Sequence, residues 1–135
     1  MKRKLMMMIV ATAGALVTFS IPALAHHSFS AEFDGKQEVV LNGRVARMEW
    51  VNPHAWLFID VPKPDGKVER WAVEFGSPNV LFRNGWKKDS LPEGMRVTVK
   101  GFPAKDGSLR ANSRGVEFPD GHKLDTGSSY GKDGK

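Results

Sequence analysis

Strong turn signals divide the chain from Glu38 onward into short β-type segments, and this division constrains the fold more than any other feature of the sequence. The segments either alternate apolar and polar residues or are apolar on both faces, as strands do. We predict five strands: Val39 to Trp50, His54 to Val61, Val68 to Phe75, Arg96 to Phe102 and Leu109 to Phe118. Gly43 in the first strand predicts a β-bulge or a sharp bend, and Gly115 in the last strand predicts a β-bulge.

A short helix is predicted between the third and fourth strands. Ser77 is a favourable N-cap, Pro78 suits the first helical position, and Gly85 follows the end of the stretch 79–84. The order strand, strand, strand, helix, strand, strand is that of an OB-fold. We therefore expect an all-β domain over residues 38–124, a five-stranded OB-fold-like Greek-key barrel with one short helix. An open five-stranded sheet with one helix is the alternative.

Residues 1–25 have the three parts of a secretory signal peptide: a basic start, an apolar centre and small residues before a cut after Ala25. An uncleaved anchor is the alternative, but the apolar run ends near Pro22 and is shorter than the roughly 20 residues that span a membrane. We expect export to a Gram-negative periplasm and no retention in the membrane. Residues 26–37 are expected to form an N-terminal arm, and residues 125–135 a flexible tail.

The composition excludes several classes of site and partner. The chain has 135 residues, no Cys, and 20 Lys plus Arg against 15 Asp plus Glu. The absence of thiols excludes disulfides, thiolate metal sites, iron–sulfur clusters and Cys nucleophiles. Removal of the signal peptide takes away three basic residues and no acidic ones, which leaves 17 basic against 15 acidic residues. So small an excess of basic residues argues against a nucleic-acid partner. Separately, we expect the protein to be a monomer or a weak oligomer.

Cleavage after Ala25 would make His26 the first residue of the mature chain and His27 the second. An amino-terminal His can chelate a metal ion through its α-amine and a ring nitrogen, and a third nitrogen completes a site suited to copper. His54 is the best candidate for that third ligand. The sequence therefore predicts a site for copper, or a similar late transition metal, at these three histidines. The candidate oxygen ligands or outer partners of the site are Glu32, Asp34, Glu49 and Glu74.

A metal-free interpretation accounts for the same histidines. His26 and His27 are then the exposed end of an arm, and His54 is a structural histidine held by a hydrogen bond or an aromatic ring. The protein would instead bind a partner or an envelope glycan through exposed aromatic and basic side chains. The candidate residues of this ligand groove are Trp50, Trp56, Arg47 and Arg70. His122 is expected in a surface turn.

The motifs of common enzyme classes are missing from the sequence. It contains no Gly-x-Ser-x-Gly elbow, no phosphate-binding glycine loop and no His-Glu-x-x-His pair. We therefore expect a binding protein with no catalytic residues, and not an enzyme. Copper-dependent redox catalysis at an amino-terminal His is a third alternative, which requires an open coordination position and a place for a substrate.

Several motifs of the chain resemble those of a known bacterial family. They are His26 to Phe29 with Glu32 and Phe33, Glu49 and Trp50 with Asn52 to His54, Glu74 to Asn79 with Gly85 and Trp86, and Lys105 to Ser108 with Ala111 and Asn112. Over nearly all of the mature sequence the chain is similar to the exported bacterial proteins grouped as domain of unknown function 6152. The resemblance implies a small periplasmic protein and supplies no activity, so the predicted metal site rests on the residues alone.

Overall fold

The computed structural model describes residues 29–128 and residue 130. Residues 29–32 form a helical turn ahead of the first strand. The elements that follow are β1 (Val39–Glu49), β2 (Trp56–Pro62), β3 (Val68–Glu74), α1 (Pro78–Arg83), β4 (Arg96–Pro103), β5 (Arg110–Glu117) and β6 (Lys123–Asp125). The predicted signal peptide and the first two histidines lie outside the described residues. Within the described part of the chain, no helix has both the length and the hydropathy needed to cross a membrane.

The strands form a closed barrel. Their order in the sheet is β3-β2-β1-β4-β5-β6, and a parallel pairing of β3 with β5 joins its two sides. In that pairing Ala72 lies opposite Arg110 and Glu74 lies opposite Asn112. The predicted all-β barrel with one short helix is thereby confirmed, and the alternative of an open sheet is wrong, because β3 does not remain a free edge.

The helix and the core follow the predicted pattern. Ser77 caps α1, since its hydroxyl accepts a hydrogen bond from the Val80 amide at 3.4 Å. Leu81 of α1 is fully buried, and Trp86 just beyond it packs edge-on against Phe75. The indole N–H of Trp86 donates to the carbonyl of Asp125 at 2.8 Å, so this buried ring also has its polar atom satisfied. α1 and the residues after it therefore close one side of the core.

The β-bulge of β1 does not lie at Gly43, where the sequence predicts a bulge or a sharp bend. The register between β1 and β2 shifts between Val45 and Arg47, so Ala46 is the extra residue. Gly43 is needed for a different reason: a Cβ placed there would lie 2.3 Å from the carbonyl oxygen of Asp60. In β5 the register shift makes Arg114 the extra residue, directly before the Gly115 at which a bulge was predicted.

The prediction that the chain frays from Asp125 onward is wrong for residues 125–128 and for Tyr130. β6 pairs with β5, and Thr126 is completely buried, with its hydroxyl donating to the carbonyl of Ser113 at 2.8 Å. The ring of Tyr130 lies 3.9 Å from that of Phe102, between centroids. The chain remains on the barrel because β5 offers an open edge and β4 offers an apolar outer surface.

The described part of the N-terminal arm packs on the same outer surface of β4. Phe33 forms an isolated bridge with Ala104, and these two residues with Phe102 make a small second core. Phe29 packs against it, with its ring 5.8 Å from Phe102 and 5.4 Å from Tyr130. The arm and the C-terminal segment thus meet on one side of the barrel, and each covers apolar surface that the other leaves open.

Gly43→Ala should destabilise the barrel, because the new methyl group would have to displace the backbone of β2. We expect the free energy of unfolding to fall by about 2 kcal/mol, measured by urea denaturation. Gly115→Ala is the matched control: its Cβ would meet nothing closer than the Leu124 carbonyl oxygen at 3.5 Å. The control should stay within about 0.5 kcal/mol of the wild type. Equal losses in the two variants would contradict the close approach at Gly43.

Candidate functional site

Four directly paired residues form a row across the outside of the barrel, which we call the outer row. Glu49 of β1 lies opposite Trp56 of β2, Trp56 opposite Glu74 of β3, and Glu74 opposite Asn112 of β5. Residues opposite one another in a sheet point to the same face. The neighbouring Leu57 is completely buried in the core, so the outer row faces away from the barrel interior.

Glu74 is nevertheless buried, with 8 % of its surface exposed. Its carboxylate Oε1 lies 2.6 Å from Nδ1 of His54, whose side chain is 46 % exposed. An ionised carboxylate only accepts hydrogen bonds, so Nδ1 carries the proton and donates it. In the neutral ring this fixes the tautomer and leaves Nε2 with a free lone pair.

The backbone beside His54 explains this orientation. His54 lies two residues before β2, in the loop that was predicted as the start of that strand. The amide of Ala55 donates to the carbonyl of Gly76, and the amide of Phe75 donates to the carbonyl of Ala55. These two bonds continue the β2–β3 pairing past its end and hold the His54 main chain beside Glu74.

The charge state of Glu74 is set by its surroundings. Burial raises the pKa of this carboxyl above its ordinary value, because the charged form loses solvation. The charge of His54 acts against the shift, Glu32 adds to it, and Arg110 acts against it. The structure therefore brings together Glu74, His54, Glu32 and Arg110, of which the first three were predicted as possible ligands or outer partners of a metal.

Arg110 was given no role by the sequence. Its Nη2 donates to Glu32 at 3.1 Å, which ties the N-terminal arm to β5. Its guanidinium carbon lies 5.7 Å from the centre of the Trp56 ring and 5.8 Å from that of Phe33. A single cation thus lies among a carboxylate and two aromatic rings, at the point where the arm reaches the outer row.

A small cavity of 170 Å³ opens beside His54 and Glu74. Its other lining residues are Pro53, Phe75, Gly76, Ser77, Asn112, Gly127 and Ser128. Asn112 is 3 % exposed, and its side-chain oxygen accepts a hydrogen bond from the Ser128 hydroxyl. The C-terminal segment therefore forms one wall of the cavity, and polar atoms of β3 and β5 form another.

The remaining predicted metal ligands are only partly assembled. Glu49 belongs to the outer row but accepts a hydrogen bond from Arg47 at 2.9 Å. Asp34 accepts from the amide of Lys36 and so shapes a turn in the arm. Among residues 29–128 and 130, no group of three His, Asp or Glu side chains could hold a metal ion. His26 and His27 lie outside this range, and the predicted metal site would require them.

Three of the four predicted groove residues lie on the outer face of the β1–β2–β3 sheet. Trp56 faces Arg110, as described, and the guanidinium of Arg47 lies 3.7 Å from the centre of the Phe58 ring. Arg70 binds the Asp60 carboxylate with two nitrogens, at 2.7 and 2.9 Å. Trp50 is half-buried and packs against the edge of the inner core instead, and its ring stacks on the exposed Phe82 of α1 at 5.2 Å.

Among the described residues, His122 contacts its own turn and not the residues of this site. Its ring stacks on Phe118 with 4.0 Å between centroids and is bonded to Asp120 in the turn before β6. This agrees with the surface turn that the sequence predicts.

Comparison with known proteins identifies a family but no activity. A family model described as "Family of unknown function (DUF6152)" matches residues 13–113. The chain belongs to this family. The resemblance seen in the motifs around His54, Glu74 and Asn112 is thereby confirmed for DUF6152. No curated protein and no solved structure matches the chain.

Glu74→Gln should change how the stability of this DUF6152 protein depends on pH. Because the pKa of Glu74 is raised on folding, the folded chain retains a proton that the unfolded chain has already released. The resulting contribution to the free energy of unfolding is complete below the ordinary pKa of Glu and is lost as the pH rises through the raised pKa. Replacing the Glu74 carboxyl by an amide should remove this pH-dependent loss of the free energy of unfolding.

The measurement is urea denaturation of both proteins between about pH 4 and about pH 6, which spans the titration of a perturbed carboxyl. We expect the free energy of unfolding to fall less with rising pH in Glu74→Gln than in the wild type. Glu93→Gln, which removes an exposed carboxylate, is the control and should follow the wild-type profile. Parallel profiles of Glu74→Gln and the wild type would show that burial of Glu74 has no energetic consequence.

Proposed function

We propose that this protein is an exported, periplasmic binding module that takes up one copper ion, or a similar late transition metal, without catalysing a reaction. The ligands would be the α-amine and ring of His26, the ring of His27, and Nε2 of His54. The proposal requires removal of the predicted signal peptide after Ala25, because the amine is free to chelate only when His26 is the first residue. Glu74 would act as the outer partner of His54.

The 2.6 Å contact between Glu74 and Nδ1 of His54 carries the proposal. A metal-binding histidine usually donates its second ring N–H to a carboxylate or a carbonyl, which fixes the tautomer and makes the other nitrogen a better donor. His54 has this arrangement, and its side chain is 46 % exposed, so a metal ion from solvent can reach Nε2.

The course of the arm supports the participation of the first residues. Phe29 is packed on Phe102, and Glu32, one turn later, is bonded to Arg110. Glu32 is also close enough to Glu74 to affect the pKa of its carboxyl. Three residue steps separate His26 from Phe29, and an extended chain covers roughly 10 Å over that length. The proposed site requires His26 to lie within that distance of Phe29 and beside His54.

The chemistry of the proposed donors favours copper. All the ligands would be nitrogen atoms, and copper(II) has the highest affinity among the divalent first-row metals for such sets. Binding without turnover is suited to metal handling or to protection against metal stress.

The test uses the mature protein beginning at His26 and measures copper(II) affinity by competition with a chelator. One equivalent should bind, and His54→Ala should weaken binding at least about 10-fold. A protein with one Ala added before His26 should lose at least as much, because its amine is displaced. His122→Ala, which removes an imidazole outside the site, should bind like the wild type. Unchanged affinity in both His54→Ala and the extended protein would refute the proposal.

A second candidate function is supported by the outer face of β1, β2 and β3. Trp56 and Phe58 are both half-buried there, with Arg110 and Arg47 beside their rings. A flat aromatic ring next to a hydrogen-bond donor is a common platform for sugars and for peptide partners, and OB-folds bind oligosaccharides on this part of the barrel. Under this alternative the protein binds an envelope glycan or a partner and needs no metal.

This alternative predicts binding of a soluble N-acetylglucosamine oligosaccharide in the presence of a chelator. Trp56→Ala should weaken that binding at least about 10-fold, because the stacked ring supplies most of the contact area. Trp71→Ala is the control, since Trp71 is also half-buried but packs against the inner core. Tryptophan fluorescence or calorimetric titration would report the affinity. Loss of glycan binding in His54→Ala with Trp56→Ala unaffected would reject this surface as the site.

A further inference from the structure

A cavity of the described residues forms a groove across the outside of β1, remote from the outer row. Its volume is 690 Å³, within the usual range of small-molecule sites. Residues of β2 and β3 lie at one end, residues of β4 and β5 at the other. We call it the β1 groove; it is lined by Asn42, Gly43, Arg44, Asp60, Pro62, Val68, Arg96, Val97, Thr98, Glu117, Phe118 and Pro119.

Two arginines lie side by side in the middle of the β1 groove. Arg44 of β1 and Arg96 of β4 are directly opposite one another in the sheet. Like charges in such a pair repel each other and destabilise the pairing of the strands. Arg44 donates one N–H to the carbonyl of Gly94 at 2.9 Å, which leaves most of its donors free. Arg96 makes no side-chain hydrogen bond or ion pair with any residue of the described chain.

The acidic residues of the groove are already paired with other cations. Asp60 is bound through both oxygens by Arg70 of β3, at 2.7 and 2.9 Å. Glu117 lies 3.4 Å from the ammonium group of Lys123 in β6. Glu93 lies near enough to Arg70 to act on its charge. With these neighbours included, the groove carries one positive charge in surplus, and neither Arg44 nor Arg96 forms an ion pair with a described residue.

Asn42 and Thr98 of the groove are hydrogen-bonded to each other at 2.7 Å, and five other lining residues are apolar. Val68 is 61 % exposed although it belongs to a strand, and Pro62 lies opposite it in β2. Val97 and Phe118 belong to the inner core and also line the groove. Pro119 completes this apolar lining at the β5 end. Together with these side chains, the exposed Val68 offers an apolar surface. A hydrocarbon group that binds there is removed from water, which favours its binding.

We propose that the β1 groove binds an amphipathic monocarboxylate, with its carboxylate on Arg44 and Arg96 and its hydrocarbon part on Pro62 and Val68. Guanidinium groups match a carboxylate with two parallel hydrogen bonds. A single negative charge matches the surplus of one positive charge, whereas a phosphate monoester would bring more charge than the groove can neutralise. Bound carboxylate would also relieve the repulsion between the two arginines.

The proposal is independent of the metal site. Pro62 and Val68 lie at the end of the β2–β3 hairpin opposite to Trp56 and Glu74. Six residues of strand separate the two ends, a distance of roughly 20 Å. A ligand in the β1 groove therefore makes no contact with His54, and each site can be tested in a variant that lacks the other.

The test is calorimetric titration of the mature protein with octanoate, and with acetate and octyl glucoside as partial ligands. We expect saturable binding of one octanoate, and at least 10-fold weaker binding of acetate, which lacks the hydrocarbon part, and of octyl glucoside, which lacks the charge. Arg96→Gln should weaken octanoate binding at least 10-fold. Because Arg96 is bonded to nothing in the described chain and is repelled by Arg44, this variant should be at least as stable as the wild type.

Three further variants complete the test. Val68→Asp places a negative charge on an already exposed position and should abolish octanoate binding without unfolding the barrel. Arg83→Gln removes an exposed arginine of α1 outside the groove, and His54→Ala removes the metal ligand; both should bind octanoate normally. Equal affinity for octanoate in Arg96→Gln and the wild type would overturn the proposal, as would equal binding of acetate or octyl glucoside. A loss of octanoate binding in His54→Ala would overturn the separation of the two sites.

Discussion

The parallel pairing of β3 with β5 is the contact on which the rest of the structure depends. It closes the barrel, and it also determines which side chains meet outside it, because Glu74 comes to lie opposite Asn112 and Ala72 opposite Arg110. The small Ala72 leaves room on the outer face where the Arg110 side chain reaches toward Trp56. A parallel pair joins segments far apart in the sequence, so none of these neighbours can be deduced from local patterns.

Burial of Glu74 follows from that closure in two steps. The sheet first places its carboxylate beside β5, and the arm and the C-terminal segment then cover this side of the barrel. The C-terminal segment is attached through the hydrogen bond from Ser128 to Asn112. The arm is attached through the hydrogen bond from Arg110 to Glu32. A carboxylate so enclosed requires a partner, and His54 supplies it from the loop before β2. The orientation of the exposed imidazole is thus a consequence of how the barrel is closed and covered.

The elements predicted correctly from the sequence are those with local signals. The Ser77–Pro78 start and the Gly85 end define α1, and the turn residues around Gly66 and Gly107 separate the strands to within about two residues, the usual uncertainty of element ends. β6 was missed because Lys123–Asp125 contains a single apolar residue and gives no periodicity. The sequence marks Gly43 as an interruption of β1, but the structure requires glycine there because the backbone of β2 leaves no room for a Cβ. Arg110 was missed because its partners come from β2 and from the arm.

The barrel also separates two kinds of electrostatic environment along the same hairpin. At the Trp56 end, the two carboxylates of Glu74 and Glu32 face one permanent cation, Arg110. While His54 is neutral, this end therefore favours a bound cation. At the Pro62 end, Asp60 is neutralised by Arg70, and the adjacent Arg44–Arg96 pair favours an anion. The two ends are roughly 20 Å apart, which exceeds the screening length of about 8 Å in physiological salt. Charges at one end therefore have little effect on binding at the other, and a barrel of this size can accommodate ligands of opposite sign without one opposing the other.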